Sequence, residues 1–425
     1  MTLFEELGWR GLVHQVTHDE LAAQLDKEPL TLYCGFDPSA DSLHIGSLVP
    51  ILGLAHFQRA GHKPISLVGG ATGLIGDPSG KSDERRLLSN AEVEANLPGI
   101  RAQLERFLDF DGPNAAVMVN NADWLGAMPL LDFLREVGKH FSINVMLAKE
   151  SVRARLEDRE HGMSFTEFSY SLLQAYDFLH LSDTYDCTLQ VGGSDQWGNM
   201  VAGMDLVRRL RNRPAYALTF PLVTKADGSK FGKSESGNVW LDPARTSPYK
   251  FYQFWFNQAD ADVARWLRYF TFLSRDEVAD YERQVQEAPE QRAAQRRLAE
   301  EVTRLVHGET ALDNALCASR AMFGGDLGGL DDATLEDVFD DVPASELDRR
   351  ELGQARPVID VLVECGVFQS KGEARRLIKS GGLYLNNQRV DSDDVKLTDQ
   401  SLCSQRIAVV RKGKKNYHLL KFVQR

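Results

Sequence analysis

The stretch Tyr33 to Ser47, YCGFDPSADSLHIGS, decides how the chain is read. Its first residues complete an apolar run, LTLYCGF (Leu30 to Phe36), with the composition of a buried strand. Asp37 and Pro38 then turn the chain, and His44 and Gly46 open LHIGSLVPILGLAHFQRAG, which reads as a helix ending at Gly61. The first N–H groups of a helix are unpaired and lie at the positive dipole end, which suits phosphate. His44 in that place can donate to an oxygen on which negative charge develops. Gly46 has no side chain to keep a flat base or ribose from the backbone. HIG alone is a short match, and most lone histidines near helices are structural; the whole segment is more specific.

Outward from it, KPISLVGG (Lys63 to Gly70), AAVMVNN (Ala115 to Asn121) and CTLQVGG (Cys187 to Gly193) read as further strands between amphipathic helices. Each ends in a turn bearing Gly, Asp or Asn, and the alternation predicts an α/β fold with a Rossmann-like parallel sheet. Ligands of such sheets sit at the carboxyl ends of the strands. After Trp240 strand signals fade, and residues 242–323 are helical in pattern. GGDLGGLDDAT (Gly324 to Thr334) interrupts that run. The expected plan is a catalytic domain over 1–240, an α-helical domain over 241–330, a linker over 331–354 and a small α+β module over 355–425.

A chain of 425 residues exceeds one ordinary core, and its 43% hydrophobic and 26% charged residues are a soluble protein's balance. No run of about 18 uncharged apolar residues occurs, so no membrane span is expected. The N-terminus lacks an export layout, and five scattered cysteines form no CxxC pair; both predict a cytoplasmic protein without a zinc site. The net charge of −12 speaks against nucleic acid until its distribution is seen: residues 355–425 carry +7, the remainder −19. A basic tail on an acidic body suits one anionic partner steered to one end, though a solvated charged surface has the same composition.

KFGKS, Lys230 to Ser234, follows the strand-like LTFPLV in a loop rich in Gly, Ser and Asp. Lys230 and Lys233 on a loop can close over a triphosphate, although KFGKS alone reads as an ordinary basic turn. HIG on the first helix paired with a downstream KxxKS is the signature of class I aminoacyl-tRNA synthetases. With GGATGLIGDPSGK (Gly69 to Lys81), SFTEFSYSLLQAYDF (Ser164 to Phe178) and GGSDQWGN (Gly192 to Asn199), essentially the whole chain resembles the bacterial tyrosyl-tRNA synthetase family.

The resemblance implies a fold, an activity and a residue set. Tyr33 and Asp177 would hold a tyrosine phenol. Asp77, Tyr170 and Gln174 would hold its ammonium, with Gln196 near its carboxylate. Independently of the family, Tyr170, Gln174 and Asp177 share one helical face, a polar stripe among apolar neighbours. For ATP, the resemblance assigns Asp37, Ser39, His44, Gly46 and Lys233, with Cys34, Gly193 and Asp195 at the ribose; Cys34 also reads as an inert buried thiol, and Asp77 and Asp195 as turn formers. His44, Lys81, Arg85, Lys230 and Lys233 would form the catalytic set, the last four handling pyrophosphate. Magnesium would accompany the nucleotide, and no protein metal site is implied. Ser47 departs from the family's His-Ile-Gly-His pattern and removes a second imidazole. A polar clamp on a hydroxyl rejects phenylalanine without editing, an effect for which tyrosine-activating synthetases are the established illustration.

In the tail, RPVIDVLVECGVFQSKGEARRLIKSGGLYLNNQRV (Arg356 to Val390) resembles an RNA-binding module shared with a ribosomal protein. Lys371, Arg375, Arg376 and Lys379 would gather on one side of a helix, with Arg389 in a following turn, to meet backbone phosphates. The implied partners are L-tyrosine, ATP, tRNA(Tyr) and a second copy of the chain. Two alternatives remain at this level. A non-catalytic RNA-binding cofactor would have lost the nucleotide motifs, which are intact here. A tryptophan-specific relative would have no use for Tyr33 with Asp177, since an indole offers only a donor.

Overall fold

The computed structural model describes residues 1–79, 87–149, 152–153, 156, 162–228, 231–234, 237–321, 324–413 and 416–424. Six strands build the larger sheet: Gln15–Val16 (β1), Thr31–Phe36 (β2), Lys63–Val68 (β3), Val117–Asn120 (β4), Cys187–Gly193 (β5) and Tyr216–Phe220 (β6). Their order is β1-β6-β5-β2-β3-β4, parallel throughout except for β1 against β6. All five residues of β6 are buried, as are five of the six in β3, because helices cover both faces. From β2 the chain steps to β3 and β4 on one side, whereas β5 and β6 lie on the other. The topological switch point therefore falls between β2 and β5, where a parallel sheet opens a crevice at its carboxyl edge.

The helix Leu48–Arg59 follows β2 through a single 3-10 turn, Ile45–Ser47, and is buried almost all round. The helix Phe165–Tyr185 begins at Ser164, whose side chain and Glu167 form a capping box. It packs along the helix Trp197–Arg211 at Gly203, where a Cβ would meet the Phe178 side chain at 3.2 Å. That close approach fixes which face of Phe165–Tyr185 turns to the sheet.

The chain divides into two compact units: 1–245 with 257–306, and 246–256 with 307–425. In the first, Arg10 is 2% exposed and donates to the carbonyls of Arg268, Thr271 and Leu273. The N-terminal helix Leu3–Arg10 is thereby fastened to the end of the helix Asp260–Phe270. A short hairpin, Lys233–Ser234 (β7) with Gly237–Asn238 (β8), continues the KFGKS segment. Phe231 within that segment packs on Trp266 and Phe270, at ring separations of 4.7 and 5.4 Å.

The second unit contains a five-stranded sheet ordered β11-β10-β12-β13-β9. Its strands are Ala344–Asp348 (β9), Leu383–Leu385 (β10), Gln388–Arg389 (β11), Ile407–Lys412 (β12) and Asn416–Val423 (β13). Here the sequence reading of 331–354 as a linker is corrected. The helix Asp332–Val338 buries Leu335 and Val338 against Ile407, Val409 and Leu419, and β9 pairs in parallel with β13. The acidic composition concealed these apolar positions, and the strand partner of Ala344 is Leu419, too distant in sequence for any local pattern to show.

Candidate active site

The polar residues read from the sequence converge at the carboxyl edge of β2 and β5, beside the helix Phe165–Tyr185. Asp177, 2% exposed, accepts from Asn121 Nδ2 at 3.0 Å and from Trp124 Nε1 at 2.8 Å. Burial pushes its carboxyl up to about 7; the two N–H donors pull it down, and the charge of Asp37 pushes it up again. Tyr33, on β2, is 1% exposed, and its hydroxyl has no hydrogen-bond partner among the described residues. Its ring lies on Phe178 with centroids 5.4 Å apart, and burial, then Asp177, holds its phenol well above the usual range. The Gln174 Oε1 atom is likewise buried without a partner. A hydroxyl, an amide oxygen and an ionisable carboxyl held in a dry site need an outside partner to complete their hydrogen bonding.

Tyr170 donates to Asp37 Oδ2 at 3.0 Å. Its phenol is also pushed well up, by burial first, then by Asp37 and Asp77, and by Asp177 last. Three carboxylates near enough to act on one buried phenol favour a cation here. Asp77 accepts from Gln196 Nε2 at 2.5 Å and from the Ser79 amide at 2.9 Å, and its carboxylate retains lone pairs beyond these two bonds. Gln196 also donates to Asp195 at 3.3 Å and accepts from Asn199, tying the β5 turn to the Asp77 loop.

On the nucleotide side, His44 caps the 3-10 turn, its Nδ1 accepting from the Gly46 amide at 3.0 Å. A neutral ring so bonded carries its proton on Nε2. The geometry gives Gly46 a different reason from close approach of a base: a Cβ there would lie 2.7 Å from His44 Cε1. The glycine makes room for the imidazole. The Ile45 amide donates to the Val239 carbonyl and Leu241 to Leu43, so the chain just after KFGKS is bridged to HIGS. Cys34 is a buried thiol pushed up to about 12 by desolvation and by Asp195, which keeps it a neutral SH rather than a nucleophile. Gly193 closes β5; a Cβ there would meet Asp195 Oδ1 at 2.5 Å. The Ser39 amide turns back to the Asp37 carbonyl at 2.8 Å, leaving its hydroxyl exposed. Lys81, Arg85 and Lys230 lie outside the described residues, as does the side chain of Lys233.

Sequence reading missed four residues of this site. Asn121 and Trp124 hold Asp177, and Thr72 bonds to both Asn121 and Asp37. Gln190 is the register partner of Tyr33 across β5 and β2 and so shares its face of the sheet; it is 3% exposed, with Oε1 unpartnered. A glutamine inside the buried run CTLQVGG was the available signal.

In the second unit, all five proposed RNA contacts fall on the helix Lys371–Lys379 or on β11, and three of them have acidic partners. Lys371 pairs with Asp360 at 2.8 Å, Arg375 with Asp393 at 2.9 Å and Arg389 with Asp391 at 3.1 Å. Arg376 and Lys379, in the last turn, carry no ion pair among the described residues.

A buried polar pocket at the switch point, next to a histidine-capped helix start, is the layout of an enzyme that joins a small polar molecule to a nucleotide. Residues 25–324 match the model of tRNA synthetases class I (W and Y), and the chain belongs to that family. Residues 334–420 match the tyrosine–tRNA ligase SYY-like C-terminal domain. Over 99% of its length the chain is 56% identical to the tyrosine–tRNA ligase of Roseiflexus castenholzii and 54% identical to that of Geobacillus stearothermophilus, covering 100% of each. Among solved structures it is similar to a C-terminally truncated mitochondrial tyrosyl-tRNA synthetase of Aspergillus nidulans. That match has a TM-score of 0.68 and 31% identity, over 76% of this chain and 94% of the other. A tryptophanyl-tRNA synthetase of Plasmodium falciparum shares the fold at TM-score 0.52 with 13% identity over 79% of this chain and 88% of the other.

The raised Asp177 carboxyl gives a pH signature. It is ionised, and fully able to accept a phenolic proton, only above about 7, and loses that capacity as pH falls. In ATP–pyrophosphate exchange the KM for tyrosine is expected to rise below that value, approaching about tenfold per pH unit, with Asp177→Asn abolishing the dependence. A wild-type KM flat between about pH 6 and 8 would remove Asp177 from the contact.

Proposed function

We infer that this chain is a tyrosine–tRNA ligase: it activates L-tyrosine with ATP to tyrosyl-adenylate and pyrophosphate, then transfers tyrosine to the 3′ end of tRNA(Tyr). The observation that carries the choice of amino acid is the buried pair of Tyr33 and Asp177, one hydroxyl without a partner and one carboxyl with acceptor capacity to spare. A phenol satisfies both; a phenylalanine ring satisfies neither.

In the proposed mechanism the tyrosine carboxylate attacks the α-phosphorus, and the bond to the bridging oxygen breaks to release pyrophosphate. Asp77, Tyr170 and Gln174 orient the ammonium, with Gln196 beside the carboxylate. His44 Nε2 donates to phosphate as charge builds, and Lys81, Arg85, Lys230 and Lys233 neutralise the leaving group. Asp37, Ser39, Gly46, Cys34, Gly193 and Asp195 line the nucleotide. Magnesium enters with the nucleotide as substrate. Phosphate oxygens would supply its ligands.

The test is ATP–pyrophosphate exchange with each common amino acid singly. Exchange with tyrosine, and a loss of at least about a hundredfold in kcat/KM with phenylalanine, is the expected outcome. Equal exchange with tryptophan would reassign the pocket.

Residues 241–330 are proposed to meet the anticodon arm and 355–425 other parts of the RNA, through Arg376 and Lys379 first and through Lys371, Arg375 and Arg389 once their ion pairs open. Because β9 belongs to the same sheet as β13, the cut that tests this is made before Asp331 rather than at Ala355. Removing 331–425 is expected to keep tyrosine-dependent exchange within about threefold while aminoacylation of tRNA is lost. Persistence of charging would clear the module of that role.

A second copy is the proposed partner for an apolar surface on the first unit. Leu130, Leu131, Ile143, Val145 and Phe165 are 57–79% exposed there. Phe165→Asp should shift sedimentation from dimer to monomer; a wild-type monomer refutes the proposal. Among the described residues no helix is long and apolar enough to cross a membrane. The five free cysteines support a cytoplasmic location.

A further inference from the structure

We propose that Thr72 is a positioning residue for amino-acid selection, its hydroxyl linking Asp177 at the phenol end of the pocket to Asp37 at the nucleotide end through Asn121. The proposal rests on the reading of Asp177 as the phenol's acceptor. It concerns how that acceptor is kept in place.

The direction of each hydrogen bond in the link is forced. The Ala71 amide donates to Asn121 Oδ1 at 2.8 Å, which fixes the orientation of the side-chain amide. Both Nδ2 protons of Asn121 then point onward, one to Asp177 Oδ2 and one to Thr72 Oγ1, each at 3.0 Å. Having accepted there, Thr72 places its own proton on Asp37 Oδ1 at 3.0 Å. The second oxygen of Asp37 accepts from Tyr170. Asn121 and Thr72 are 0% and 3% exposed, so water cannot replace a missing member. Gly69 gives the link its space: a Cβ there would lie 2.1 Å from Asp37 Oδ1 and 2.4 Å from Thr72 Oγ1.

The consequence is polarity. Asp177 is touched by two donors that have nothing to accept with, Asn121 Nδ2 and Trp124 Nε1, so its remaining lone pairs are left for a donor in the pocket. Without the Thr72 hydroxyl, one Asn121 N–H is buried without an acceptor. The amide is then no longer committed to a single pose, and the carboxylate it holds loses its position. Asp37 keeps its bond from Tyr170 when the Thr72 hydroxyl is lost, so the change falls first on the amino-acid end of the site.

The experiment compares Thr72→Val, Thr72→Ser and Asp177→Asn with wild type in pyrophosphate exchange, with thermal melting to establish folding. Thr72→Val is expected to raise the KM for tyrosine about tenfold, equivalent to about 1.4 kcal/mol, and to lower the preference for tyrosine over phenylalanine by a similar factor. Its KM for tyrosine changes by a larger factor than its KM for ATP, and Thr72→Ser restores the tyrosine KM to within about threefold. The inference is overturned if Thr72→Val keeps both the tyrosine KM and the preference. It is also overturned if Val and Ser alike depress kcat with that KM unchanged, the mark of a structural role. Should Thr72→Val fail to fold, Thr72→Ala, which removes the same hydroxyl without adding bulk, is held to the same outcomes. Asp177→Asn with an unaltered tyrosine KM would instead show that the site reading itself is wrong.

Discussion

Burying carboxylates next to one another is the constraint on which the rest of this site depends. Asp37, Asp77 and Asp177 surround the Tyr170 side chain, and Asp77 and Asp177 are almost completely removed from water. Such a group is tolerable only where donors meet it. The donors come from every neighbouring element: Asn121 and Trp124 after β4, Thr72 after β3, Tyr170 from the long helix, and Gln196 from the turn after β5. The carboxyl ends of a parallel sheet are where so many turns can be brought to one point. The topology is what allows the acids to exist.

That arrangement divides the labour by charge. The acids and the unpartnered Tyr33 hydroxyl suit a molecule with an ammonium at one end and a hydroxyl at the other. His44, whose Nδ1 accepts from the Gly46 amide, stands at the start of the first helix after β2. The backbone bridge from Ile45 to Val239 connects the two sequence motifs of the nucleotide half without involving the acids. Cys34 lies between, kept neutral by burial. In the second unit the balance is different: two of the basic helix's four cations, Lys371 and Arg375, are matched by surface acids, in pairs that contribute little to stability and are readily exchanged for other anions.

Much of this was legible in the chain. The strands at Thr31–Phe36, Lys63–Val68 and Cys187–Gly193 announce themselves because they are mostly buried, leaving apolar runs, and the half-buried edge strand Val117–Asn120 by its apolar VMV. The helical face of Tyr170, Gln174 and Asp177 is legible because helical periodicity is local. The pairing of HIG with KFGKS is legible because chemistry fixes residue types as firmly as packing does. The linker reading failed for the complementary reason: β9 is a strand only by virtue of β13, and its own residues, Ala344 to Asp348, show no strand pattern.

By itself, then, the sequence determined the element types, the family and which polar residues stand where an apolar environment makes them costly. Only the tertiary structure decided what those residues do to one another. It joined Asp177 to Asn121 and Trp124, gave Gly46 to the His44 ring, tied Asp77 to Gln196 and set Gln190 beside Tyr33. Each of these contacts spans either a sheet crossover or a turn whose geometry is fixed by distant packing. Hydrogen-bond direction and burial are properties of the assembled site, and periodicity carries no information about them.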